Sequence, residues 1–229
     1  MNDTTNRSPL RIAALAERAA FTERAILDAA EEIFAHKGLQ GARVRDIADA
    51  AGVNVATLYN YYANKYALYE AVLERGIRPV TEVVRDFSVN VRDSASARIA
   101  IEAIMNHLAQ CPNVSRLIYQ EAVMEGDYLQ TLAHKWLRPL IEEILAALAA
   151  DRDSSSYNES TAPFLSALFI HLSFGHFALA PLLKEVLGHD PLAPEGIRHQ
   201  SLFIEMLIQQ IFPKAKNDSD TTNPNPVTH

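Results

Sequence analysis

Imidazole is the commonest metal-ligating side chain, so His107, His134, His171, His176, His189 and His199 are the first residues to weigh for chemistry. Their spacing argues against a shared ion. His171 and His176 lie five positions apart, which on a helix turns them about 140° from one another. Glu195 and His199 stand at i and i+4, but two ligands do not make a site. Cys111 is the one cysteine, so no internal disulfide staples the fold and a reducing cytoplasm is the expected location. The sequence contains no nucleophile elbow, phosphate-binding glycine loop or paired-carboxylate motif, and Glu142 with Glu143 reads as a solvated face. A protein that is not an enzyme, with no metal and no cofactor, is expected.

Recognition chemistry is better represented, in RVRDIADAAGVNVATLYNYYANKYAL, Arg43 to Leu68. Two short amphipathic helices joined by a tight turn make a helix-turn-helix. Ile47, Ala48 and Ala51 turn the first helix inward, and the small alanines permit close approach. Gly52 allows the positive φ of the turn. Val53 and Leu58 fill the angle between the helices, and Asn54 can cap the second. Val55, Ala56, Thr57, Asn60 and Tyr61 are left facing outward, on a helix that suits the major groove. Tyr62, Tyr66 and Tyr69 fall at core spacing, whereas Tyr59 and Tyr61 point elsewhere.

The run DIADAAGV followed by TLYNYYANK resembles the DNA-binding domain of the TetR family of transcriptional regulators, over Phe21 to about Leu73. The resemblance implies that Val55, Ala56 and Thr57 lead the recognition helix. It also implies that Tyr59, Tyr61 and Lys65 contact phosphates, with Arg43 and Arg45 as further backbone contacts. Tyr62 would be a core aromatic and Asn64 would cap the fourth helix. Ala42 stands where the family usually caps its second helix with Thr, a departure that removes a cap worth about 1 kcal/mol. Val55 and Ala56 offer only thymine-methyl contacts, while Asn60 can pair bidentately with adenine. Arg7, Arg11 and Arg18 could form an arm reaching the minor groove.

These residues must be held by helices. The 229 residues are 48% hydrophobic and 21% charged, as in ordinary folded proteins. The 8 Gly and 11 Pro exclude collagen-like or low-complexity chains. Met1 to Pro9 lacks the apolar stretch of a signal peptide. The net charge of -7 is uneven: residues 1–75 carry 9 basic against 10 acidic residues, and residues 76–229 carry 12 against 18. A local basic surface can therefore still bind DNA.

Ile26, Leu27, Ala30, Ile33 and Phe34 recur at helical spacing, with Glu23, Arg24, Asp28, Glu31 and Glu32 left for solvent. Thr22 is the expected N-cap of that helix and Gly38 its stop. Gly76 and Pro79 should bend or interrupt the fourth helix. Ser94 can cap a helix that Pro112 ends, Asn113 the next, and Asp127 to Ala150 reads as one helix kinked at Pro139. Asp151 to Ser160 reads as an exposed loop, and Pro163 and Pro194 suit helix starts.

The expected class is all-α. Residues 1–20 form a partly disordered arm and 21–75 the DNA-binding domain, with its motif at 43–62. Residues 76–212 form a ligand-binding and dimerisation domain, and 213–229 a disordered tail. Thr161 to Leu183 is long and uncharged, but His171, His176, Ser166, Ser173, Gly175 and Pro181 interrupt it, so burial rather than a membrane is expected.

By the resemblance, this segment and Pro194 to Phe212 form a two-fold dimer interface, with Phe164, Leu168, Leu172, Ile204, Leu207 and Ile211 as candidates. A mostly apolar small effector would lie among Ile104, His107, Leu108, Tyr119, Met124, Trp136, Leu140, Phe169, Phe174 and His176. The expected function is a ligand-responsive repressor that binds a palindromic operator on double-stranded DNA as a homodimer. The alternative is a DNA-binding protein of the same fold that positions a protein partner and ignores small molecules.

Overall fold

The computed structural model describes residues 9–90, 94–149, 160 and 162–211. Arg7, the tail 213–229, the loop positions 151–159 and the side chain of Ile211 lie outside the described residues. All described elements are helices, in keeping with the all-α expectation.

Helix α1, Pro9–Gly41, starts well before the expected cap and breaks at Gly38, where φ is 68°. Thr22 is not its N-cap: its hydroxyl donates to the Arg18 carbonyl at 2.9 Å from inside the helix. The alanine-rich run from Ala13 to Ala20 has the best intrinsic helix propensity available, so residues 9–20 of the arm expected to be partly disordered are helical. Helices α2, Val44–Ala50, and α3, Val55–Tyr61, fold against α1. Ile26, Ala30, Phe34, Ile47, Ala48 and Leu58 are buried in their shared core. Glu31, expected in solvent, is only 5% exposed because Arg75 reaches it from the next helix.

That helix, α4, runs unbroken from Lys65–Asn90, so neither Gly76 nor Pro79 interrupts it. It crosses the expected domain boundary at residue 75 without a joint. Gly76 has a packing reason: a Cβ there would lie 2.5 Å from Val114 Cγ1. Helix α5, Ser94–Gln110, is followed by α6, Pro112–Met124, whose N-cap is Cys111 rather than Asn113. Asn113 sits in the first turn, where its free backbone N–H donates to Glu31.

Asp127 to Ala150 is not one helix kinked at Pro139. It comprises α7, Leu129–Thr131, a π-helical stretch Leu132–Leu137, and α8, Arg138–Ala149. Pro139 has no N–H to offer the preceding turn, and widened turns accommodate that gap. Helices α9, Ala162–Ala178, α10, Ala180–Leu187, and α11, Pro194–Ile211, complete the fold. Among the described residues no single helix is long and apolar enough to cross a membrane; α9 and α10 meet that test only as a pair bent by 76°. Ser166, Ser173, Phe174 and Phe177 of α9 are buried within the protein.

Candidate nucleic-acid interface

The turn before α3 is built by Gly52, at φ +69°, a conformation that excludes ordinary side chains although the space around it is open. The Val53 N–H closes the turn on the Ala48 carbonyl at 3.0 Å. Asn54 Oδ1 accepts from the Thr57 N–H at 2.7 Å and caps α3. Leu58, fully buried, fixes the angle of α3 to the domain. Ala56, Tyr59 and Asn60 are thereby exposed, and Thr57 and Tyr61 are half-buried. Val55 departs from its expected outward position: it is half-buried against the core.

The flanking contacts divide into free and committed groups. Arg43 and Arg45 are exposed. Arg43, not Ala42, is the N-cap of α2 and provides no side-chain cap, while Ala42 is buried. The Lys37 ammonium beside Asp46, 2.6 Å away, holds that carboxyl below its usual range and ties α1 to α2. Asn64 Oδ1 caps α4 by accepting from the Ala67 N–H at 2.9 Å. Lys65 Nζ donates to the Ala42 and Gln40 carbonyls at 3.2 and 3.4 Å, which engages two of its three protons. The Tyr61 hydroxyl donates its only proton to the Ala19 carbonyl at 3.3 Å. Tyr62 and Tyr69 are core residues, but Tyr66, on the first turn of α4, is 49% exposed.

Polar contacts tie this domain together and join it to the C-terminal helices. Arg75 pairs with Asp28 and Glu31, each at 2.5 Å, and burial raises the Glu31 carboxyl above its usual range. These residues border a cleft of about 300 Å³ with Glu32, His36, Gln110, Pro112 and Asn113. Gln40 Nε2 donates to Asp127 Oδ2 at 2.8 Å, and Lys135 Nζ donates to Glu70 Oε2 at 3.0 Å. The Tyr128 hydroxyl donates to the other Glu70 oxygen.

The expected effector residues do not all gather. Ile104, Leu108, Leu140 and Phe174 are buried core, and Phe169 packs partly against them. Trp136 is nearly buried, with its indole N–H directed at the Tyr128 hydroxyl. His107 Nε2 meets the Gly76 carbonyl at 3.1 Å, and His176 Nε2 meets the Pro191 carbonyl at 2.9 Å. The Tyr119 hydroxyl lies against Gly175, 2.8 Å from where a Cβ would be. Met124 is 73% exposed at the end of α6 and does not belong with this set. Burial pushes the Cys111 thiol up to about 12, leaving it unreactive.

Of the expected interface residues, Phe164 and Leu168 are exposed, and Leu172 and Leu207 are half-buried. Ile204 is 1% exposed and packs inside its own chain, so the register of α11 differs from the expected one. Among its described side chains the outward apolar ones are Leu202, Phe203 and Met206. Leu202 and Met206 stand at i and i+4, a signal present in the sequence.

A three-helix domain with a capped, outward recognition helix, carried on a larger helical body, defines a helix-turn-helix DNA-binding protein. The chain belongs to the TetR family of bacterial regulatory proteins, whose N-terminal domain matches residues 26–72. It is 30% identical over 171 residues to the transcriptional regulator RutR of Escherichia coli, covering 72% of this chain and 78% of RutR. The transcriptional repressor SCO4008 of Streptomyces coelicolor is 29% identical over 182 residues, covering 77% of this chain and 89% of the repressor. The solved structure of the TetR family regulator PfmR from Thermus thermophilus superposes with a TM-score of 0.61 at 15% identity, over 82% of this chain and 98% of that one. The protein is a TetR-type transcriptional regulator.

Proposed function

We propose that the protein is a repressor that reads a palindromic operator as a homodimer and leaves it when a small, mostly apolar effector binds. Residues 21–75 bind DNA, and residues 76–212 hold the effector and pair the subunits. The observation that carries this reading is α3, whose capped and buried framework leaves Ala56, Tyr59 and Asn60 in solvent. Ala56, Thr57 and Asn60 meet base edges, and Asn54 stabilises the end of the helix that enters the groove. Arg43, Arg45, Tyr59 and the remaining proton of Lys65 meet phosphates. Two such helices must stand about 34–36 Å apart to occupy successive major grooves, hence the palindrome. The exposed apolar residues of α9 and α11 support pairing through those helices. The repressor function of SCO4008 supports the negative sign.

Selection of bound fragments from random duplex DNA tests the reading. A palindrome is expected, and Thr57→Ala with Tyr59→Phe should weaken its binding at fixed salt while sedimentation still reports a dimer. Unchanged affinity would remove α3 from the groove.

A further inference from the structure

We propose that residues 9–20 of α1 are a second DNA-contacting element, laying Arg11 and Arg18 against backbone phosphates beside the groove that α3 reads; the inference rests on that reading of α3. Residues 11–21 are all exposed, so this part of α1 projects beyond the core of its own domain. The Tyr61 hydroxyl, bonded to the Ala19 carbonyl, places residue 19 at the end of α3. From there the helix continues for ten more residues, about 15 Å. In the homeodomain, another three-helix reader of the major groove, the chain preceding the first helix reaches the flanking minor groove.

Arg11 and Arg18 stand seven positions apart, about 20° from each other around the axis, and so share a face. Glu17 lies about 100° or more from both. Leu15, 52% exposed and about 40° from Arg11 and 60° from Arg18, adds an apolar contact to that face that suits the edges of deoxyribose. A helix about 10 Å across cannot enter a minor groove about 6 Å wide. The extension therefore lies across the sugar–phosphate backbone, where its contacts add affinity without sequence preference.

The test is the salt dependence of binding by the full chain to two duplexes of about 30 base pairs, one selected as above and one of random sequence. In Arg11→Ala/Arg18→Ala, the slope of log K against log salt should shrink by about 2 per bound subunit, equally on both duplexes. The Arg11→Lys/Arg18→Lys variant should retain the slope, and circular dichroism should show unaltered helix content. An unaltered slope in the alanine variant overturns the proposal. Thr57→Ala/Asn60→Ala separates the two readings. If it abolishes preference for the selected duplex while the arginine variant changes nothing, the extension is wrong and the α3 reading stands. If preference survives it, the α3 reading fails and the extension falls with it.

Discussion

The Tyr69 hydroxyl donates to Glu121 Oε1 at 3.0 Å in a buried contact between α4 and α6. The other carboxylate oxygen accepts from the Tyr128 N–H at 3.3 Å, and burial raises the Tyr69 phenol far above its usual range. Phe34 and Tyr128 each pack edge-on to the Tyr69 ring, at 5.0 and 5.2 Å. The first turns after the recognition helix are thus bonded directly to the C-terminal half.

Removing that hydroxyl leaves a buried carboxylate oxygen without its donor. Tyr69→Phe should lower stability by about 1–3 kcal/mol. A chemical-denaturation midpoint equal to the parent's would show that the bond contributes nothing.

Gly76 sets two effects against each other. Alanine inside a helix should stabilise by about 0.5–1 kcal/mol, but here its Cβ would sit 2.5 Å from Val114. Overpacking of this kind costs about 1–3 kcal/mol, so Gly76→Ala should destabilise. Trimming the neighbour in Gly76→Ala/Val114→Ala should recover part of the loss. Simple additivity of the two substitutions would count against the contact.

Burial lowers the pKa of His176 below its ordinary 6.5, outweighing the Pro191 carbonyl, which raises it. The folded chain then binds this proton less readily than the unfolded chain. The stability so gained is complete above pH 6.5 and drains away as pH falls through the folded value. His176→Gln should flatten the stability profile in that window, measured as denaturation midpoints at stepped pH. An identical profile would place the sensitivity elsewhere.

Leu202 and Ile204, two positions apart on α11, should respond differently to a charge. Leu202 is 48% exposed, so Leu202→Glu should leave a folded chain that no longer pairs. Ile204 is 1% exposed, so Ile204→Glu should unfold it by burying an unpaired carboxylate. Sedimentation and circular dichroism separate the outcomes, and a folded dimer in both variants would displace the interface from α11.

The turn at Gly52 and the caps at Asn54 and Asn64 were legible in the sequence because each depends on atoms within a few residues. Glu31, Tyr66 and Met124 were not, since their exposure is decided by distant elements: Arg75 draws Glu31 inward, while among the described residues Tyr66 and Met124 stay exposed. Ile204 shows the same limit, because the broad apolar face from Leu202 to Leu207 does not reveal which stripe its own chain will cover. Tyr61 and Lys65 have the right chemistry for phosphates, but their spacing does not announce their bonds to Ala19, Gln40 and Ala42.

The uninterrupted course of α4 has a mechanical consequence. Twenty-six residues make a rod about 39 Å long. A tilt of about 5° imposed at its far end would displace the near end by about 3 Å. With no swivel to absorb the motion, a slight shift in C-terminal packing would become a mismatch between two reading heads and the pitch of the double helix.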